Sequence, residues 1–93
     1  MKEYDSFNIL DTYVLTLLSK NKKLFDKEIF EQTNKKVPVT ESTINSCLIL
    51  LYLDNLIAFK HLNGKKLLKI TQEGKNHLAK YQQARKAMLE LYR

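Results

Sequence analysis

The sequence predicts a mainly α domain with one small β-hairpin, in the order helix, helix, helix, hairpin, long helix. Three observations lead there. Apolar residues recur at helical spacing in three capped stretches and again toward the C-terminus. Asn63-Gly64 separates two short runs that sort their apolar residues as paired strands do. The 93 residues include two glycines and one proline, too few for a loop-rich β fold or a disordered chain.

Asp5 or Ser6 is expected to cap the first helix, because either side-chain oxygen can accept from an early backbone N–H. Leu10, Tyr13, Val14, Leu17 and Leu18 follow as one apolar stripe. Asn21, set among Lys20, Lys22 and Lys23, marks the stop, since asparagine tolerates left-handed backbone and cations suit a helix C-terminus. Asp26 is expected to cap a second helix that buries Ile29 and Phe30 and runs out near Asn34. Pro38 drives its predecessor toward extended backbone, so Lys36-Val37-Pro38-Val39 is a connection. Thr40 then caps a third helix over 41–54, with Glu41 complementing the dipole and Ile44, Cys47, Leu48 and Leu51 as its core stripe.

The hairpin pairs 57–62 with 65–70. A two-residue Asn63-Gly64 loop suits a type I′ turn and sets 62 against 65, 60 against 67, 59 against 68 and 57 against 70. Ile57, Phe59, Leu68 and Ile70 then share one face, and Ala58, Lys60, Leu67 and Lys69 the other. Leu67 is the exception, expected to stay exposed. Thr71 caps a last helix over 72–92, roughly 30 Å long at 1.5 Å per residue. Gly74 in its first turn permits close backbone approach.

Length and composition bound the function. One domain spans 1–93, with a core over 5–74. A chain this small buries roughly 60–65% of its unfolded surface, which leaves little depth for a water-excluding catalytic cleft. The longest apolar run, Cys47 to Leu53, falls well short of the roughly 20 residues needed to span a bilayer, so no membrane role is expected. The N-terminus lacks an export signal and a single cysteine cannot form an intrachain disulfide, so a cytoplasmic location is expected. Cys47 reads as a small core residue. His61 and His77, without a second cysteine, make no zinc set. There is no glycine-rich phosphate loop or nucleophile motif, so no catalytic residue, metal or cofactor is expected and the chain does not read as an enzyme.

The formal charge is +6, unevenly spread. Residues 20–36 and 60–93 carry the basic excess, while 37–59 contain no Lys or Arg. A basic block that coincides with a protruding hairpin points toward nucleic acid.

At this point the chain resembles a family. Ser42-Thr43-Ile44 followed by Leu48, Leu51, Leu56 and Ile57, and then Leu68-x-Ile70-Thr71-x-x-Gly74, are similar to the pattern of winged helix-turn-helix proteins. The chain is similar to PadR-like and MarR-like regulators and to small winged-helix proteins of archaeal and other mobile elements, over roughly residues 8–80. The resemblance implies a homodimer that binds double-stranded DNA as a transcriptional regulator. Its third helix would enter the major groove, and the hairpin tip, the wing, would touch backbone or minor groove.

Ser42, Thr43, Asn45 and Ser46, near the start of the third helix, are the candidate base contacts, with Asn45 able to pair bidentately with adenine. Lys35, Lys36, Lys60, His61, Lys65 and Lys66 are the candidate backbone contacts; Lys22, Lys23, Lys27 and Lys69 add charge nearby. The alternative for the wing lysines is protection of an edge strand against aggregation. The third helix departs from the family in lacking Arg and Lys. Its apolar Ile49, Tyr52 and Leu53 can meet thymine methyls, bind a protein partner, or pack under a neighbouring element, the last being expected. A winged-helix module for protein–protein contact through those three residues is therefore the alternative function. On the last helix His77, Tyr81, Ala84, Met88 and Leu91 alternate at spacings of four and three, the seam of a helix pair, and are the candidate dimer interface. A small-molecule effector is not expected, because so short a chain has little room for a pocket outside that interface.

Overall fold

The structure, a computed structural model, describes the backbone of residues 2–91 and the side chains of residues 9–91. The order is α1 (Lys2–Asn21), β1 (Lys23–Phe25), α2 (Asp26–Lys36), α3 (Glu41–Leu53), β2 (Ile57–Leu62), β3 (Lys65–Ile70) and α4 (Gln72–Leu91). The predicted order of helices and hairpin is present, with one strand added.

That added strand changes the sheet. β1 pairs antiparallel with β3, setting Lys23 against Lys69, Leu24 against Leu68 and Phe25 against Leu67. The sheet order is β1-β3-β2, so β3 is central. Three residues are too few for a period-two signal, and this strand exists because β3 offers it a free edge. Phe25 opposite Leu67 leaves Leu67 half-buried, not exposed as expected.

The helix boundaries differ from expectation mainly at the caps. α1 begins at Lys2, so Asp5 and Ser6 lie inside it; their side chains fall outside the described residues. Its buried face is Val14, Leu15 and Leu18, with Leu10, Tyr13 and Leu17 half-buried, one position round from the expected stripe. Asn21 closes the helix through its side chain, whose Nδ2 donates to the Leu17 carbonyl at 2.8 Å. The left-handed residue is the next one, Lys22, at φ 61°. Phe25, not Asp26, is the N-cap of α2, and the Glu28 carboxylate accepts from the Phe25 N–H at 2.8 Å. α2 continues past Asn34 to Lys36, while Asn34 Oδ1 accepts from the Val39 N–H at 3.1 Å and ties down the connection.

From Thr40 onward the expectations match closely. Thr40 Oγ1 accepts from the Thr43 N–H at 3.1 Å as the N-cap of α3. Ile44, Cys47, Leu48 and Leu51 are all buried. α3 ends at Leu53 with Asp54 as its C-cap. The hairpin has the expected strands and register, and both loop residues take positive φ, Asn63 at 54° and Gly64 at 77°. Thr71 Oγ1 accepts from the Gly74 N–H at 2.9 Å and donates to the Asn55 carbonyl at 2.7 Å, fixing α4 to the end of α3. A methyl at Gly74 would collide with the Leu56 carbonyl oxygen and the Ile70 side chain, so the chains cross there as the glycine suggested.

The core lies between α1, α3 and the inner face of the sheet. Leu15, Leu18, Ile29, Ile44, Leu51, Ile57 and Leu68 fill it, and Leu78 docks the first half of α4.

Candidate nucleic-acid interface

α3 is half embedded, and its exposed half divides cleanly by chemistry. At about 100° per residue, Ser42, Ser46, Ile49 and Leu53 project directly away from the core stripe. Asn45 and Tyr52 flank that line toward the hairpin, and Thr43 and Leu50 flank it on the other side. The first two turns are polar and the last two apolar. Ser42, Asn45 and Ser46 are exposed and adjacent. Thr43 is exposed too, but it sits off that line and its hydroxyl lies 3.0 Å from that of Thr40.

Ile49, Tyr52 and Leu53 do not pack under a neighbouring element, contrary to expectation. They are 52%, 45% and 65% exposed. Tyr52 leans on Phe59 of β2, ring centroids 4.9 Å apart, and the hairpin stops short of covering the rest. Ile49, Tyr52, Leu53, Phe59 and Lys66 line an open cleft between α3 and the hairpin, with Asn45 at its edge.

The hairpin brings cations to both sides of its tip. Lys60, His61, Lys65 and Lys66 are all exposed. Lys66 lies over the Phe59 ring at 5.5 Å, and His61 meets that ring edge-on at 5.7 Å. Lys65 lies over Phe25 of β1 at 5.8 Å. Aromatic faces attract a cation and restrict its stem while leaving the charged end in water. These aromatic supports went unread in the sequence because Phe25 and Phe59 have no shared periodicity; only the strand pairing puts them under the lysines.

Asn45, Glu41, Gly64, Lys65 and Lys27 line one cleft, so the wing tip, the start of α2 and the start of α3 border a common surface. Lys35 and Lys36 are exposed at the far end of α2, one connection before α3.

α4 is partly attached. Leu78 is buried and Tyr81 half-buried against the domain, while His77, Ala84, Met88 and Leu91 are exposed. From Gln82 to Leu91 every residue is exposed. Between α1, the α2–α3 connection and α4 lies an open cleft of about 620 Å³, lined by Ile9, Tyr13, Val39, Tyr81 and Arg85 among others. The cleft borders Tyr81, one of the candidate dimer residues, and the expectation of no small-molecule effector gains no support from it. Among the described residues no group of His, Cys, Asp or Glu could hold a metal, and no helix is long and apolar enough to cross a membrane. Cys47 is wholly buried, as its place on the stripe implied.

No protein-family model matches the sequence, and no curated protein matches it. Solved structures do match. A PadR family transcription regulator from Clostridium difficile R20291 superposes with a TM-score of 0.79 at 24% identity, over 88% of this chain and 92% of that one. The fold is a PadR-like winged helix. YusO from Bacillus subtilis gives a TM-score of 0.79 at 28% identity, covering 89% of this chain and 58% of YusO. SSV1 F-93 gives 0.69 at 18% identity, over 88% and 91%. In winged-helix terms, α3 is the third helix, β2–β3 the wing, and β1 the short strand that completes the sheet.

Proposed function

We propose that this winged-helix chain is a dimeric, sequence-specific double-stranded DNA-binding protein that acts as a transcriptional regulator. The observation that carries this reading is convergence: the polar start of α3, through Asn45, and the lysine-bearing wing tip, through Gly64 and Lys65, border one exposed surface. Ser42, Thr43, Asn45 and Ser46 contact bases from the major groove. Lys60, His61, Lys65 and Lys66 contact phosphates beside it, and Lys35 and Lys36 grip the backbone on the other flank. The described function of the PadR neighbour, transcription regulation, supports the same role. α4 pairs two copies through His77, Tyr81, Ala84, Met88 and Leu91. The cleft beside α1 has the volume of small-molecule sites, so absence of an effector is not part of this reading.

Titration of duplex DNA at several salt concentrations tests the proposal. Binding should weaken linearly in log affinity against log salt, as phosphate neutralisation releases counterions. No binding at low salt would overturn it.

The exposed Ile49, Tyr52 and Leu53 favour a second reading, in which α3 docks a protein partner. That reading expects duplex affinity to be absent or unrelated to sequence.

A further inference from the structure

The exposed line of α3 is chemically one-sided. Residues 37–59 contain no Lys or Arg. Ser42, Ser46, Ile49 and Leu53 point directly outward, with Asn45 beside them on the wing side. A guanine edge presents two acceptors, O6 and N7, which a cationic side chain satisfies best; this face supplies none. An adenine edge presents an acceptor and a donor, which the Asn45 amide matches. A thymine presents a methyl group, which the hydrocarbon of Ile49 and Leu53 matches. Against a G·C pair the same two side chains meet N7, O6 and the cytosine amino group and find no methyl to cover. The face therefore favours A·T pairs over G·C pairs.

We propose that α3 reads a run of A·T pairs in the major groove, with Asn45 on adenine and the apolar second half, Ile49 foremost, on thymine methyls. This specificity rests on the DNA-binding reading above. It gives the exposed apolar residues of α3 a ligand without invoking a protein partner, and it explains how a helix without cations can read DNA: the wing lysines supply the charge, leaving α3 to discriminate. Both Asn45 and Ile49 are exposed, so substitutions there leave the core intact.

The test is selection of bound sequences from randomised duplexes by the full chain, followed by replacement of each thymine in the selected site with deoxyuridine, which lacks the methyl. A selected run of A·T pairs is expected, with at least one replacement weakening binding about fourfold, the effect of one buried methyl. Ile49→Ala should bind the thymine and uracil forms of that position equally, and Asn45→Ala should lose the preference for adenine. A selected site built on G·C pairs, or equal affinity for thymine and uracil at every position, overturns the inference while leaving DNA binding standing. An A·T preference read from groove shape alone falls in the second class, because removing the major-groove methyl would not change it. No binding to any duplex at low salt overturns the underlying reading itself.

Discussion

Cys47 Sγ donates a 3.0 Å hydrogen bond to Asp11 Oδ1, joining α3 to α1 beneath the candidate reading face. Burial pushes the Asp11 carboxyl above its ordinary value, and the Asp54 charge adds to the rise; the bond from Cys47 and the nearby His77 only partly oppose them. Burial and the neighbouring carboxylate likewise push the Cys47 thiol up, which keeps it protonated and unreactive.

A carboxyl that holds its proton more tightly in the folded chain makes the folded state the better proton binder between its unfolded and folded pKa values. Its contribution to stability is therefore lost as pH rises from about 3.8 through the raised folded value, and above that value the buried charge is a standing cost. Asp11→Asn keeps an acceptor for the thiol and removes the charge. Its melting temperature should exceed that of the wild type at neutral pH, and the difference should shrink as pH falls through the carboxylate range. Thermal melts across that range check this. A lower melting temperature for the variant at neutral pH would show that the charge-assisted bond outweighs burial.

Gly74 and Gly64 should respond differently to alanine. At Gly74 the added methyl meets the Leu56 carbonyl, which accepts from the Thr71 N–H at 3.0 Å and is held in place by it. Gly74→Ala should destabilise by about 3 kcal/mol, the upper end for overpacking, because the nearest obstacle is backbone and cannot swing aside as a side chain can. At Gly64 a methyl meets open space but φ is 77°, so Gly64→Ala should cost about 1 kcal/mol from backbone strain alone. Denaturant unfolding of the two variants separates the mechanisms. Equal losses would mean that the α3–α4 crossing relaxes.

The contrast between those glycines also marks what the sequence makes legible. Local chemistry with its own geometry reads directly: Asn63-Gly64 specifies the turn, the turn specifies the register, and Thr40 and Thr71 specify two helix starts. β1 does not read, because Lys23-Leu24-Phe25 pairs only once β3 is in place, and with it goes the half-burial of Leu67. Phe25 as N-cap and Asp26 as the first helical residue follow from the same strand, which holds Phe25 extended. On the candidate site, the polar start of α3 reads from spacing. The exposure of Ile49, Tyr52 and Leu53 does not: hydrophobicity predicts burial, and only the finite reach of the hairpin leaves them open.

The wing and the reading helix should fail in different ways. Lys65 and Lys66 are held over aromatic rings with their charges in water, the arrangement of phosphate contacts that position without reading. Replacing both with alanine should weaken binding about equally on all duplexes and reduce the salt slope by roughly two. Asn45→Ala should cost about 1–3 kcal/mol on the preferred site and little elsewhere, with the slope unchanged. Fluorescence titrations on preferred and scrambled duplexes at several salt concentrations distinguish the two. An unchanged slope in the lysine variant would assign those lysines to edge protection.

The free half of α4 sets the last expectation. Beyond Tyr81 every described residue of the helix is exposed, Met88 and Leu91 at 58% and 81%. A helix of this length gains little stability in water without a packed face. Pairing with a second α4 would supply that face and place two α3 helices on one duplex, as a two-fold site requires. Sedimentation equilibrium at micromolar concentration should find a dimer. Met88→Glu combined with Leu91→Glu should give a folded monomer, because neither residue contributes to the core. That monomer should retain the wing's salt dependence per half-site while losing most of its affinity for a two-half-site duplex, since each half must then bind alone. A wild-type chain that sediments as a monomer, or a double variant that stays dimeric, would exclude this seam.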